Sequence, residues 1–161
     1  VAAGVASITS QVTNLYGLGV RQFLVANVPD IGATPRFREL GAATAGFATT
    51  WTAVWNDALA EALDMLMLPE ADLFRLDLFG FGSSTDVLES FENTTEACLT
   101  AESICADPTS YVYWDSFHPS STSHALFATQ AFDLVSVPLP GSFVLLLMGL
   151  AVLSRSVQRQ C

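Results

Sequence analysis

The chain contains no lysine, and its six basic residues, all arginines, face sixteen acids for a formal net charge of −10 over 161 residues. Arg155 and Arg159 lie beyond Pro138, so residues 1 to 137 hold four arginines against all sixteen acids. Such a surface repels a phosphate backbone, which argues against nucleic-acid binding. Histidine and cysteine are scarce too, at two and three residues. His118 and His124 with Cys98 and Cys105 complete no recognised zinc-ligand spacing, so no metal and no cofactor is expected. No methionine precedes Met65 and the chain opens on Val1, as expected of a fragment or a processed chain. Residues 1 to 6 lack the basic n-region of a secretory signal and are too short an apolar run, so an exported parent would carry its signal upstream. Internal repeats and low-complexity tracts are absent as well.

What is present is globular: 51% of the residues are hydrophobic and 11% aromatic, enough for one domain. Val5, Ile8, Val12 and Leu15 recur at three- and four-residue steps, which predicts an amphipathic helix ending near Gly17 or Gly19. The apolar run 23–28 (Phe-Leu-Val-Ala-Asn-Val) then reads as a buried strand, and residues 29–35 are turn formers. Helix, glycine, buried strand is the signature of an α/β unit with a parallel sheet, whose ligand crevice lies at the carboxyl ends of the strands. A long helix is predicted from about Gly41 to Met67. Phe47, Trp51, Val54, Ala58, Ala62 and Leu66 are its expected core stripe, and Asp57, Glu61 and Asp64 its solvated face. Residues 73–79 read as a second strand, in which Asp77 is either functional or an edge or cap residue.

From Gly80 to Thr109 the chain turns polar. Asn93-Thr94-Thr95-Glu96 resembles a capping box for a short helix, and its glycosylation triplet carries little weight. Cys98 and Cys105 flank the polar segment 99–104. They can bridge in an oxidising compartment or remain two thiols. Ala128, Ala131, Phe132 and Val135 then fall at helical spacing, with Ser120, Ser121 or Thr122 as the cap.

The chemistry concentrates in residues 111–119, Tyr-Val-Tyr-Trp-Asp-Ser-Phe-His-Pro. A carboxylate three residues before an imidazole lets one turn hold both. Asp115 can accept the ring N–H of His118, fix its tautomer and leave the other nitrogen as a general base. The bland alternative is a structural histidine. His124, inside the following helix, is expected to be structural, capping or bonded to the His118 loop. Tyr113, Trp114 and Phe117 are expected to pack that loop rather than to bind substrate.

The last segment differs in kind: no charge falls between Asp133 and Arg155, and residues 143–153 are an unbroken apolar run. A bilayer core needs roughly 20 predominantly apolar residues, and the uncharged window 134–154 reaches that length. Arg155 and Arg159 would then lie in the cytoplasm with the domain outside. The other reading is a buried C-terminal helix, against which Pro138 and Pro140 argue by detaching the segment. The expected organisation is a domain over 1–135, a linker over 136–141 and a membrane anchor over 142–161.

Two resemblances follow from these residues. Residues 111–120, with their Asp-x-x-His-Pro element, resemble the last block of the GDSL or SGNH esterases and lipases. Residues 23–35 are similar to that family's middle strand and loop, and residues 91–98 to the segment before its Asp-x-x-His block, all in the right order. The resemblance implies a three-layer α/β/α, flavodoxin-like fold, a Ser-His-Asp mechanism acting on esters of lipids or acylated carbohydrates, and Asp115 and His118 as two triad members. The family's Gly-Asp-Ser, Gly and Asn blocks are not recognisable here. Gly82-Ser83-Ser84 and Gly141-Ser142 do not follow a first strand. The resemblance therefore implies the C-terminal portion of such an enzyme, inactive alone, its nucleophile upstream.

Residues 137–140 (Val-Pro-Leu-Pro), the apolar run and the closing arginines resemble a PEP-CTERM sorting signal, with Leu139 where that motif usually carries Glu. This implies export to the cell envelope or exterior of a Gram-negative bacterium, a C-terminal membrane anchor and processing by an exosortase. The competing expectation, from another functional class, is a surface-anchored binding or matrix protein that keeps the fold without activity.

Overall fold

The computed structural model describes residues 1–136. The expected linker from residue 137 onward, the anchor over 142–161 and its sorting signal lie outside the described residues. Among those described, no helix is long and apolar enough to cross a membrane.

Helix α1 spans Ala2–Gly17 and buries Val5 and Val12, two members of the stripe that predicted it. It stops where Gly19 takes a φ of +98°, which lets the Gly19 and Val20 amides turn back onto the Tyr16 and Leu15 carbonyls. Strand β1 (Gln22–Ala26) follows at once. A 3₁₀ turn over Ile31–Ala33 leads to the short helix α2 (Pro35–Glu39) and the long α3 (Ala42–Asp64). Strand β2 (Asp72–Leu76) then pairs with β1 in parallel, Gln22 opposite Asp72 through Ala26 opposite Leu76. Among the described residues β1 pairs along one edge only.

Two short helices, α4 (Leu78–Phe81) and α5 (Thr85–Leu88), lead to a second parallel pair. Its strands are β3 (Asn93–Ala97) and β4 (Tyr111–Tyr113), with an irregular register between Asn93 and Ala97. Helix α6 (Ser121–Val135) closes the described chain. The fold is thus α/β, with helices and parallel strands, consistent with the flavodoxin-like architecture expected.

Val5, Leu59 and Leu63 form the main core, with Trp55, Val25 and Leu73 packed against it, so α1 and α3 share one face of the β1–β2 sheet. Side chains alternate along a strand. Leu73 joins that core and Arg75 reaches Asp64 of α3 at 2.7 Å, so Phe74 and Leu76 point to the other face, where α6 packs on β2. Burial of this apolar surface, at about 25 cal/mol per Å², drives the assembly.

Helix α3 corrects the sequence reading. Ala58, Ala62 and Leu66 of the expected stripe do pack on the core, but Phe47 (73% exposed), Trp51 (51%) and Val54 stand in solvent. The buried line is Ala48, Thr52, Leu59 and Leu63. The cause is backbone proximity: a Cβ on Gly32 would overlap the Ala45 carbonyl and the Thr49 hydroxyl. Only small side chains leave room for the 3₁₀ turn, so size outweighs hydrophobicity in the amino-terminal half of α3. Asp57, Glu61 and Asp64 are exposed as expected.

Two further expectations change. The second strand ends at Leu76, because Asp77 accepts the Gly80 amide at 2.9 Å and caps α4, the cap role left open above. Residues 93–96 start no helix. Asn93 does accept the Thr95 and Glu96 amides, but pairing with β4 and a disulfide joining Cys98 to Cys105 hold the segment extended.

The Gly32 contact is open to a direct measurement. Gly32→Ala should destabilise the domain by about 1–3 kcal/mol, the usual cost of overpacking, read as a lower urea midpoint at unchanged m-value. An unshifted midpoint would mean that the turn does not lie against α3.

Candidate active site

The site grows from β4. Val112 and Tyr113 are buried against Phe91, and this anchors the start of the loop 114–119. The loop is closed at its base. The Trp114 amide donates to the His118 carbonyl at 2.8 Å, Tyr113 bridges Pro119, and the Ser120 amide donates to the Val112 carbonyl at 2.8 Å. Ser120 then caps α6, and the fully buried Ser123 hydroxyl donates to the same Val112 carbonyl. Both serines are committed to structure.

Inside the loop, Asp115 organises everything. Its Oδ1 accepts the Phe117 amide at 2.8 Å and the His118 amide at 2.7 Å, the fold-back that short acidic side chains favour. That turn returns the His118 ring to the same carboxylate, with Nδ1 2.8 Å from Oδ2 and 3.0 Å from Oδ1. A charged carboxylate so placed selects the tautomer with the proton on Nδ1, and leaves Nε2 as the base. The His118 side chain is 75% exposed, against 31% for Asp115. Partial desolvation pushes the Asp115 carboxyl up, but the His118 and Phe117 amides, the ring N–H and the imidazolium charge outweigh it. The group is held below its ordinary value.

A second loop buttresses the first. The Arg36 amide, in the first turn of α2, donates to the Ser116 carbonyl at 3.0 Å. That turn is itself fixed. Asp30 accepts the Gly32 amide at 2.9 Å and the Thr49 hydroxyl at 2.8 Å, while Asn56 of α3 brackets Val28 through both its amide N–H and carbonyl. Asn27 accepts the Leu78 and Phe79 amides and so ties the end of β1 to α4. These positioning residues were missed in the sequence. For Asn27 and Asp30 the signal is an Asn and an Asp just past the carboxyl end of a buried strand; Thr49 and Asn56, inside α3, carry no such signal.

The remaining predicted residues fall out as follows. His124 is exposed, and Ser120 takes the capping role foreseen for it. Its ring meets the edge of Phe127 at 5.7 Å and makes no side-chain hydrogen bond to the His118 loop. Tyr113 is buried and Trp114 partly so, as expected, but Phe117 is 49% exposed and forms part of the wall of an apolar cavity of about 290 Å³. Burial raises the Tyr113 phenol above its ordinary value, with the Arg38 charge opposing and Asp30 adding. Among the described residues no hydroxyl hydrogen-bonds to His118; the Ser83 hydroxyl donates to the Gly80 carbonyl. Among them, too, no group of three His, Cys, Asp or Glu side chains is placed to hold a metal.

Comparison with known proteins bears on this geometry. Residues 1–131 match the family described as GDSL-like Lipase/Acylhydrolase. The chain is 26% identical over 149 residues to GDSL esterase/lipase EXL3 of Arabidopsis thaliana, covering 76% of this chain and 40% of that protein. It is 27% identical over 136 residues to GDSL esterase/lipase At1g73610 of the same plant, covering 80% and 40%. The chain therefore spans about two fifths of the length of these relatives. With most of its length matched, an Asp-x-x-His loop at its centre and parallel strands behind it, the chain belongs to the GDSL-like lipase/acylhydrolase family.

Proposed function

We propose that this chain is the C-terminal portion of a carboxylic ester hydrolase, an esterase or lipase, and contributes the acid and the base of a Ser-His-Asp triad. The observation that carries this reading is the contact of Asp115 with Nδ1 of His118, which leaves Nε2 open on an exposed ring. The nucleophile would be a serine in a block upstream of these residues. His118 Nε2 takes the serine proton as Oγ attacks the ester carbonyl, and returns it to the departing alkoxide. Water then repeats the sequence on the acyl-enzyme and releases the acid. Asp115 stays charged throughout, holding the ring in place and stabilising the imidazolium. The oxyanion donors would also come from upstream blocks, so this chain alone should hydrolyse nothing.

For localisation, the support is sequence alone: the uncharged window 134–154, its apolar centre and the following arginines. On that basis the enzyme is exported in a Gram-negative bacterium and held at the membrane by residues 142–161, with exosortase processing to follow. The disulfide between Cys98 and Cys105 fits an oxidising compartment.

Three measurements test the proposal. In the full-length protein, His118→Ala should lower kcat on short-chain aryl esters by on the order of 10⁴ or more. Undiminished hydrolysis would remove His118 from the mechanism, and a parent without esterase activity would favour the inactive binding or matrix protein instead. The second measurement concerns pH. Because the folded Asp115 carboxyl is lowered, its contribution to the loop is fully present above its unfolded value of about 4 and is lost as pH falls through the folded value. The Phe117 and His118 amides should thus stay protected from hydrogen exchange at pH 5 and lose protection in stronger acid, a dependence that Asp115→Asn should abolish. Third, truncation after Ser136 should move the protein from the membrane fraction to the soluble one; an unchanged distribution would mean that the tail is no anchor.

A further inference from the structure

The residues on either side of Asp115 each accept an amide from outside the catalytic loop. The Ser116 carbonyl takes the Arg36 amide, and the turn that leads into that helix is pinned to α3 through Asp30 and Thr49. The Trp114 carbonyl takes the Leu99 amide at 2.6 Å, one residue after Cys98 donates to the Tyr113 carbonyl at 3.1 Å. Asp115 is thus held between two backbone ties. A shift of either moves the carboxylate that orients His118.

The two ties differ in what stands behind them. Arg36 is backed by the fold, whereas Leu99 belongs to a loop closed by the disulfide between Cys98 and Cys105. Residues 100–104 of that loop are exposed, and Leu99 is only partly buried. Thr100 and Ala101 line an open cleft of about 390 Å³ against Glu39 and Ser116, so the tip borders solvent rather than a packed element. Its internal bonds are those of a short turn: the Thr100 amide to the Ser103 carbonyl at 2.9 Å, the Ser103 amide to the Thr100 hydroxyl at 3.1 Å, and the Cys105 amide to the Cys98 carbonyl at 2.8 Å. A hairpin of this kind is marginal in water on its own, and the covalent bridge supplies the order its bonds do not. Cys98 is buried and Cys105 less so, which leaves the bridge open to approach from the Cys105 side.

We propose that the disulfide-closed loop 98–105 positions Asp115 through the Trp114 carbonyl, and that reduction of the bridge by a dithiol is a reversible off-switch for the site. The assignment rests on the ester-hydrolase reading above and adds its regulation. A thiolate of the dithiol attacks Sγ of Cys105, the S–S bond breaks, and its electron pair leaves on Sγ of Cys98, which takes a proton from water. The second thiol then displaces the Cys105 sulfur, which is protonated in turn, and the reductant departs as a cyclic disulfide. Two electrons and two protons have passed to the pair. Leu99 is then held by the turn alone, the Trp114 carbonyl loses its fixed donor, and Asp115 keeps only the tie from Arg36.

Full-length protein, oxidised and after excess dithiothreitol, tests this, with opening of the bridge followed by alkylation and mass. On short-chain aryl esters kcat should fall about ten- to a hundred-fold while KM stays within about two-fold, as expected when reacting groups are displaced and binding is not. The Phe117 and His118 amides should exchange about ten-fold faster or more while those of α1 and α3 keep their protection. Reoxidation should restore both. Cys98→Ser combined with Cys105→Ser should behave as the reduced protein and no longer respond to the reagent, which separates this bridge from Cys161 and from any upstream cysteine.

A bridge that resists the reagent, a kcat unchanged once both thiols are free, a change confined to KM, or a double variant that still responds would each overturn the proposal. So would loss of protection throughout α1 and α3, since the bridge would then hold the whole domain rather than one loop. If the double variant does not fold, the reduced wild-type protein decides alone. A parent that hydrolyses no ester yet shows the selective loss at Phe117 and His118 sustains the positioning role and removes the hydrolase reading. Hydrolysis indifferent to reduction keeps that reading and removes the switch.

Discussion

Everything in this domain that bears on chemistry depends on one carboxylate. Asp115 accepts two backbone amides from its own loop and the ring N–H of His118, so the group that would orient the imidazole also folds the turn that presents it. The arrangement explains why its carboxyl lies below the ordinary range despite partial desolvation. Hydrogen bonds to the charged form are worth more here than the hydration they replace. The loop is tied to its surroundings by backbone bonds: Arg36 to the Ser116 carbonyl, Leu99 to the Trp114 carbonyl, and the closure of its base onto β4.

The surrounding scaffold is arranged to hold loops rather than to build a deep core. Asp30 and Asn56 satisfy backbone groups just past the end of β1, and Asn27, at that end, satisfies the first amides of α4. A stretch of irregular chain at the edge of a site would otherwise leave its amides and carbonyls short of partners. Gly32 lets that stretch lie directly on α3, and the disulfide does the corresponding task just after β3, where Cys98 and Leu99 donate to the Tyr113 and Trp114 carbonyls. Both loops that meet at the candidate site are thereby fixed from behind.

Much of this was legible in the sequence, and the parts that were not share a cause. Periodicity found α1, α6 and the strand after Gly19, because each depends on a single local pattern. The contact between Asp115 and His118 was legible for the same reason: it is made within four residues. Helix α3 was misread at Phe47 and Trp51, since the partner that demands small residues there is a turn remote in sequence. Asn93 carries local capping chemistry that a neighbouring strand and a disulfide override. Whether Cys98 and Cys105 pair is decided by redox environment, which spacing does not encode. The exposure of Phe117 depends on α4 and α6 standing off the loop, a tertiary fact with no sequence pattern of its own.

Among the described residues one edge of β1 is unpaired, and this has a geometric consequence. A strand that joins this sheet in parallel releases its chain on the same side as β1 and β2. A strand docking in parallel beside Gln22–Ala26 would therefore deliver whatever residue follows it to the rim formed by Asn27 and the turn after β1. Direction alone would do the aiming, with no contact between that residue and the rest of the sheet required.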